Sequence, residues 1–333
     1  MLPLAAAADV FPSMKRREFI TFLGGATVWH AAARAQQRAH VVGVLAPQPL
    51  PPIERLVRKL PEYGYVEGQN LHLVRRFSEG HDDRFPAMAV ELTALPADLI
   101  VTMGTPAAVA AKQATSSIPV VMGSIGDPIS VGIVSNLAHP GGNITGFAAQ
   151  NVDLEGKRLE LLRDLLPQVS RVAMLANVAN PLVDASMQNL RTTAEQLHIA
   201  FDIFGVRSTG EIEAALQQLN NARPDGVLIA SDLLLLTRRS EIADFLAKSR
   251  LPAVYPFREY VGVGGLMIYG ANLGTLFERA AGYVDRILKG AKPADLPVQQ
   301  ATEFELIINL KTAAAMGLTV PPMLIARADE LIE

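Results

Sequence analysis

The chain contains no cysteine. That excludes disulfides, thiolate metal sites, a catalytic thiol and a lipid-modified cysteine at a processing point. Tryptophan occurs once, at Trp29, inside an N-terminal segment that reads as a removable leader. Charged residues make up only 19%, no long basic run is present and the net charge is -3, so nothing favours a nucleic-acid partner. Histidine is sparse as well: beyond the leader, His40, His72, His81, His139 and His198 lie scattered. Only His81-Asp82-Asp83 sets histidine beside carboxylates. It reads as a solvated helix start, and no metal site is expected.

Signatures of enzymes are missing too. Gly262-Val263-Gly264 continues as Gly265-Leu266-Met267, without the third glycine of a dinucleotide loop. Gly141 to Gly146 has the spacing of a phosphate loop but runs on into Phe147, not lysine. No nucleophile elbow surrounds Ser124, which has Met122 two residues before it. No cofactor and no catalytic residue are expected.

What is present is apolar. Half of the 333 residues are hydrophobic, enough for a large core, and the length calls for two domains. At the N-terminus, Met14-Lys15-Arg16-Arg17-Glu18-Phe19-Ile20 precedes an uncharged run of about 15 residues, short of the ~20 that span a bilayer. Ala33-Arg34-Ala35 then offers a small-x-small cleavage site. Residues 1–35 therefore read as a twin-arginine-like export signal. Met1 to Ser13 is an extension of that leader or lies upstream of the true start at Met14. Cleavage would leave a soluble periplasmic protein with no tryptophan and a net charge of -5, since Lys15, Arg16, Arg17 and Arg34 leave with Asp9 and Glu18.

From His40 onward, apolar β-branched runs alternate with longer amphipathic stretches. The runs predict strands near 40–45, 71–77, 98–103, 118–122, 143–147, 171–176, 200–206, 226–230, 252–255, 265–269 and 304–308. Helices fall between them, including one from Asp127-Pro128 carrying Ile129, Ile133, Val134 and Leu137, and a last one near 322–332. The alternation predicts an α/β fold of two Rossmann-like lobes with parallel sheets. Elements beyond Gly265 exceed what a second lobe needs. The chain is expected to cross back, giving one lobe of 36–148 plus about 271–302 and another of 149–270 plus about 303–333.

Open α/β sheets bind ligands at the carboxyl ends of their strands. Those ends supply the candidate ligand-binding residues Pro47, Gln48, Thr105, Pro106, Ser124, Asp127, Asn177, Asn180, Asp232, Tyr255, Glu259 and Tyr269. Thr105, read as a helix cap, marks a helix N-terminus suited to a ligand carboxylate or phosphate, with plain capping as the alternative. Asp127, Asp232 and Glu259 suit a ligand ammonium, with helix capping as the plain alternative for the first two. Tyr255, Phe257 and Tyr269 could enclose an apolar or aromatic group.

Several motifs together resemble one family. They are Gly64-Tyr65-Val66-Glu67-Gly68-Gln69-Asn70, Gly104-Thr105-Pro106-Ala107-Ala108, Gly126-Asp127-Pro128 and Pro140-Gly141-Gly142-Asn143-Ile144-Thr145-Gly146. Further along come Gly156-Lys157-Arg158-Leu159-Glu160, Gly265-Leu266-Met267-Ile268-Tyr269-Gly270 and Phe304-Glu305-Leu306-Ile307-Ile308-Asn309. The chain is similar to ABC-transporter substrate-binding proteins of the tryptophan- and tyrosine-binding type. The resemblance implies a type I periplasmic-binding architecture with three hinge crossings, hinge closure on a small solute (an amino acid or aromatic acid) and transient docking of a monomer on an inner-membrane permease. It also implies that the loops at Thr105, Asp127 and Tyr269 face the cleft. Two departures stand near that pocket: Ile268 replaces the family's usual serine, and the first helix lacks the usual Phe- and Gly-containing start. An exported Rossmann-like enzyme and a periplasmic ligand sensor are the alternative readings.

Overall fold

The computed structural model describes residues 38–333; the expected export signal lies outside the described residues. The chain first lays down β1 His40–Ala46, α1 Pro51–Lys59, β2 Leu71–Phe77, α2 Phe85–Thr93, β3 Leu99–Met103, α3 Thr105–Ala114, β4 Val120–Ile125 and β5 Ile144–Ala148. A second series follows: α4 Asn151–Leu165, β6 Arg171–Asn177, α5 Val183–Leu197, β7 Ala200–Val206, α6 Ile212–Ala222, β8 Gly226–Ile229, α7 Leu233–Thr237, α8 Arg239–Lys248, β9 Ala253–Tyr255 and β10 Met267–Ala271. Last come α9 Leu273–Leu288, β11 Gln299–Gln300, β12 Phe304–Asn309, α10 Leu310–Met316, α11 Pro322–Arg327 and β13 Glu330–Ile332.

Two sheets result. The first runs β2-β1-β3-β4-β5-β11, the second β7-β6-β8-β9-β10-β12-β13. Their first five strands repeat the same doubly wound order, although no sequence repeat links them. Central strands such as β3 and β4 are buried along their whole length, as sheets covered on both faces require. The sequence reads both sheets as parallel. The first is, but in the second β12 runs antiparallel to β10. By then the chain has returned from the first lobe, where α9 packs on α1 and β4 and β11 extends the sheet beside β5. It re-enters the second sheet from the crossing end, so the pairing direction flips.

The crossings lie close together. Gln150, in the left-handed region at φ 54°, follows β5 and starts α4. Its Nε2 donates to the carbonyl of Ala301 at 3.0 Å, and the Ala301 amide donates to Ala148 O at 2.8 Å. The first and third crossings are thus hydrogen-bonded side by side. The second, at Asn272, is held by Asn272 Nδ2 donating to Glu305 at 2.8 Å.

One expected helix is not there, and the last one is shorter than read. Residues 128–137 form turns. Ile129, Val131, Ile133 and Val134 are β-branched and Gly132 sits at φ +65°, so helix propensity is poor. Asp127 Oδ1 accepts from Ile129 N and Ser130 N, and Lys112 Nζ donates to the carbonyls of Gly132 and Ile133. Ile133 and Val134 still reach the core, but Ile129 is 47% exposed. At the C-terminus α11 stops at Arg327 and the chain pairs as β13 with β12, ending the helix read through 332.

Candidate functional site

The carboxyl ends of the two sheets face each other and line one cavity. The first lobe brings Pro47 after β1, Thr105 and Pro106 at the start of α3, and Ser124 at the end of β4. Asn180 comes from the loop after β6, and Ser231 and Asp232 from the loop after β8. Phe85, Met103, Leu233, Leu234, Phe257 and Leu273 give the apolar share, and Asn151 the first residue of α4. The cavity between these walls is about 30 Å³, room for little more than a water molecule. The lobes are drawn together almost to contact.

Two carboxylates of this wall come from opposite lobes. Asn177 Nδ2 donates both to Asp82 Oδ2 at 3.1 Å and to Asp232 Oδ2 at 3.2 Å, so the acids sit within a few ångströms of one another. Asn180 Nδ2 donates to the same Asp232 oxygen at 2.6 Å, while Asp232 Oδ1 caps α7 by accepting from Leu234 N at 2.7 Å. Among the described residues neither acid has a basic partner, and no lysine, arginine or histidine lines the cavity. Burial first, and the charge of Asp232 second, push the Asp82 carboxyl up to about 7. Burial also raises Asp232, against the pull of its amide donors.

Behind Ser231 lies a buried ion pair. Glu155 and Arg158, one turn apart on α4, are both wholly buried and lie 3.1 Å apart. Ser231 Oγ donates to Glu155 at 2.9 Å and accepts from Arg158 Nη1 at 2.6 Å, and Arg158 Nε donates to the Tyr269 carbonyl at 2.8 Å. The pair ties α4 to the ends of β8 and β10 and so fixes the second-lobe wall.

The first-lobe wall is mostly backbone. Gly104 caps α3 at φ +90°, a conformation that favours glycine, and Thr105 is the first helical residue, not the cap. Thr105 Oγ1 instead accepts from Gly126 N at 3.5 Å. Pro106 has no N–H, which thins the donors of this helix N-terminus. Three first-lobe glycines receive second-lobe side chains. A Cβ on Gly80 would meet Thr209 at 2.3 Å, one on Gly104 would meet Leu233 at 2.7 Å, and one on Gly126 would meet Leu182 at 2.3 Å.

Of the residues picked from sequence, Pro47, Thr105, Pro106, Ser124, Asn180 and Asp232 line the cavity, and Asn177 stands behind it as the amide between the two acids. The others lie elsewhere. Gln48 is outside the lining, and the Asp127 carboxylate is spent on its own turn. Tyr255 stacks on Tyr260 in the core, with ring centroids 4.5 Å apart. Tyr269 leans on Phe304, and Glu259, in the short 3-10 segment Arg258–Val263, is outside the lining. The sequence reading missed Asp82, taken for a solvated helix cap: it belongs instead to a 3-10 turn ahead of α2 that faces the other lobe. The sequence reading assigned neither Glu155 nor Arg158 to the site: Arg158 entered only within the motif Gly156 to Glu160, and Glu155 only as part of the helix α4. Among the described residues no helix is long and apolar enough to cross a membrane, and no group of metal-binding side chains is gathered.

Comparison with known proteins gives consistent matches. The profile of the ABC transporter substrate binding protein family covers residues 54–332. A tyrosine-binding protein of Clostridioides difficile (strain R20291) is 25% identical over 263 residues, 79% of this chain and 75% of that protein. Among solved structures, an ABC domain from Streptococcus pneumonia in complex with L-Trp aligns with a TM-score of 0.80 and 27% identity, over 88% of this chain and 100% of that one. A conserved domain protein from Vibrio cholerae gives a TM-score of 0.82 at 24% identity with the same coverage, a likeness of fold.

Proposed function

The chain belongs to the ABC transporter substrate binding protein family, and on that premise we propose that it is the exported solute-binding component of an importer. It acts in the periplasm as a monomer, closes its lobes on a small organic solute and presents it to an inner-membrane permease. The observation that carries this reading is the convergence of strand-end residues from both sheets on one cavity. Three crossings beside one another supply a hinge of the kind such closure uses. The tyrosine-binding relative and the L-Trp complex make aromatic amino acids the first solutes to try.

Thermal unfolding of the mature protein with and without each solute is the test. A ligand at 100 times its Kd stabilises by about 2.7 kcal/mol. A saturable rise in Tm with the solute recovered unchanged is expected. Chemical turnover of a bound solute would overturn the reading in favour of an exported enzyme.

A further inference from the structure

The cavity walls hold two carboxylates and no basic side chain. From this we infer that the solute is an organic cation whose ammonium sits between Asp82 and Asp232, with net-positive solutes preferred to zwitterions of the same body. The inference rests on the binding-protein reading and specifies its ligand.

The two acids come from different lobes, so closure itself brings them together. A single amide, Asn177 Nδ2, now donates to both. Its protons are neutral-amide protons, and they leave the like charges uncompensated. A buried charge is stable only when paired, and a pair of like charges asks for a cation between them. An ammonium has three donors and can serve both carboxylates at once. A further oxygen is free to take part. Ser124 Oγ lines the cavity, is 5% exposed and makes no hydrogen bond within the described residues. An anionic solute, by contrast, would find the starts of α3, α4 and α9 and the Ser124 hydroxyl, but no cationic side chain. A carboxylate added to the ligand therefore meets two repelling acids and no compensating charge, which is why the amine should outrank the amino acid.

The test is calorimetric titration of the mature protein with matched sets. Tyramine, L-tyrosine and 3-(4-hydroxyphenyl)propionate form one; isoamylamine, L-leucine and 4-methylpentanoate a second; cadaverine and L-lysine add net-positive aliphatics. Binding confined to ammonium-bearing solutes, led by a net-positive one, is expected. Asp82→Asn should weaken that solute about tenfold or more. Asp232→Asn should do the same while keeping an acceptor for Leu234 N. Tight binding of either deaminated acid, or an affinity unchanged by Asp82→Asn, would overturn the cation assignment and leave the binding-protein reading standing. A zwitterion bound more tightly than its amine would overturn the preference for net positive charge. Silence of every solute would count against both readings at once.

Discussion

The two walls of the cleft stand at equivalent points of two sheets with the same strand order, yet they are built differently. At the second-lobe end, Asn177, Asn180 and Asp232 hold one another in place, and Ser231 is locked between Glu155 and Arg158. At the first-lobe end the corresponding loops offer Gly104, Gly126, a threonine and a serine, with little side-chain hydrogen bonding. A polar network built largely within one lobe is pre-organised and does not have to be assembled when ligand arrives. Bare glycine loops do the opposite service. They let the partner lobe approach to van der Waals contact, so they matter only when the cleft is shut. One wall recognises and the other receives.

That contrast can be broken from either side. The largest effect is expected from Arg158→Met, which strands Glu155 as a buried charge. Losing one partner of a buried pair costs about 3–5 kcal/mol, so urea unfolding should show a loss of that size, with or without ligand. A loss below about 1 kcal/mol would mean that the pair is not what holds the second wall.

Gly126→Ala should act on closure instead. Its added methyl meets Leu182 across the cleft, and overpacking of this kind costs about 1–3 kcal/mol. Because the clash exists only between closed lobes, the variant can relieve it by opening, so ligand affinity should fall about tenfold or more while the unliganded protein loses no more stability than the contacts between its lobes supply. Small-angle scattering should show the unliganded variant more extended than wild type. Adding Leu182→Ala should restore affinity; if it does not, the glycine serves its own loop and not the approach of the lobes.

The smallest effect is the pH dependence of unliganded stability. Asp82, held up at about 7 in the folded chain, titrates near ~3.9 when unfolded. Between those values the folded state binds the extra proton, so its stability should fall as pH rises through that window and level off above it. Asp232 and Glu259, also raised by burial, add to the same slope. Thermal unfolding from pH 5 to 8 checks the sign, and Asp82→Asn should flatten the curve. A stability that climbs with pH over this range would contradict the placement of Asp82 against the second lobe.

Much of this was written locally. The unbroken apolar run located the buried β6 nearly to the residue, and alternation with turn residues on either side located the half-exposed edge strands β2 and β7. Asp232 and Asn180 were legible because chemistry in such sheets gathers after the strands. The sequence by itself thus determined the strand-and-helix rhythm and about a third of the cavity wall. What only the tertiary structure decided depends on contacts between distant segments. Residues 128–137 have helical spacing but collapse into turns, since capping by Lys112 and poor propensity outweigh periodicity. Asp82 looks like any helix-start acid until the second lobe lies over it. Glu155 and Arg158 look like a surface pair one turn apart until β8 and β10 bury them. Tyr255 and Tyr269 stand at strand ends yet face away, because which side of a sheet meets the other lobe is settled by packing and not by position along the strand.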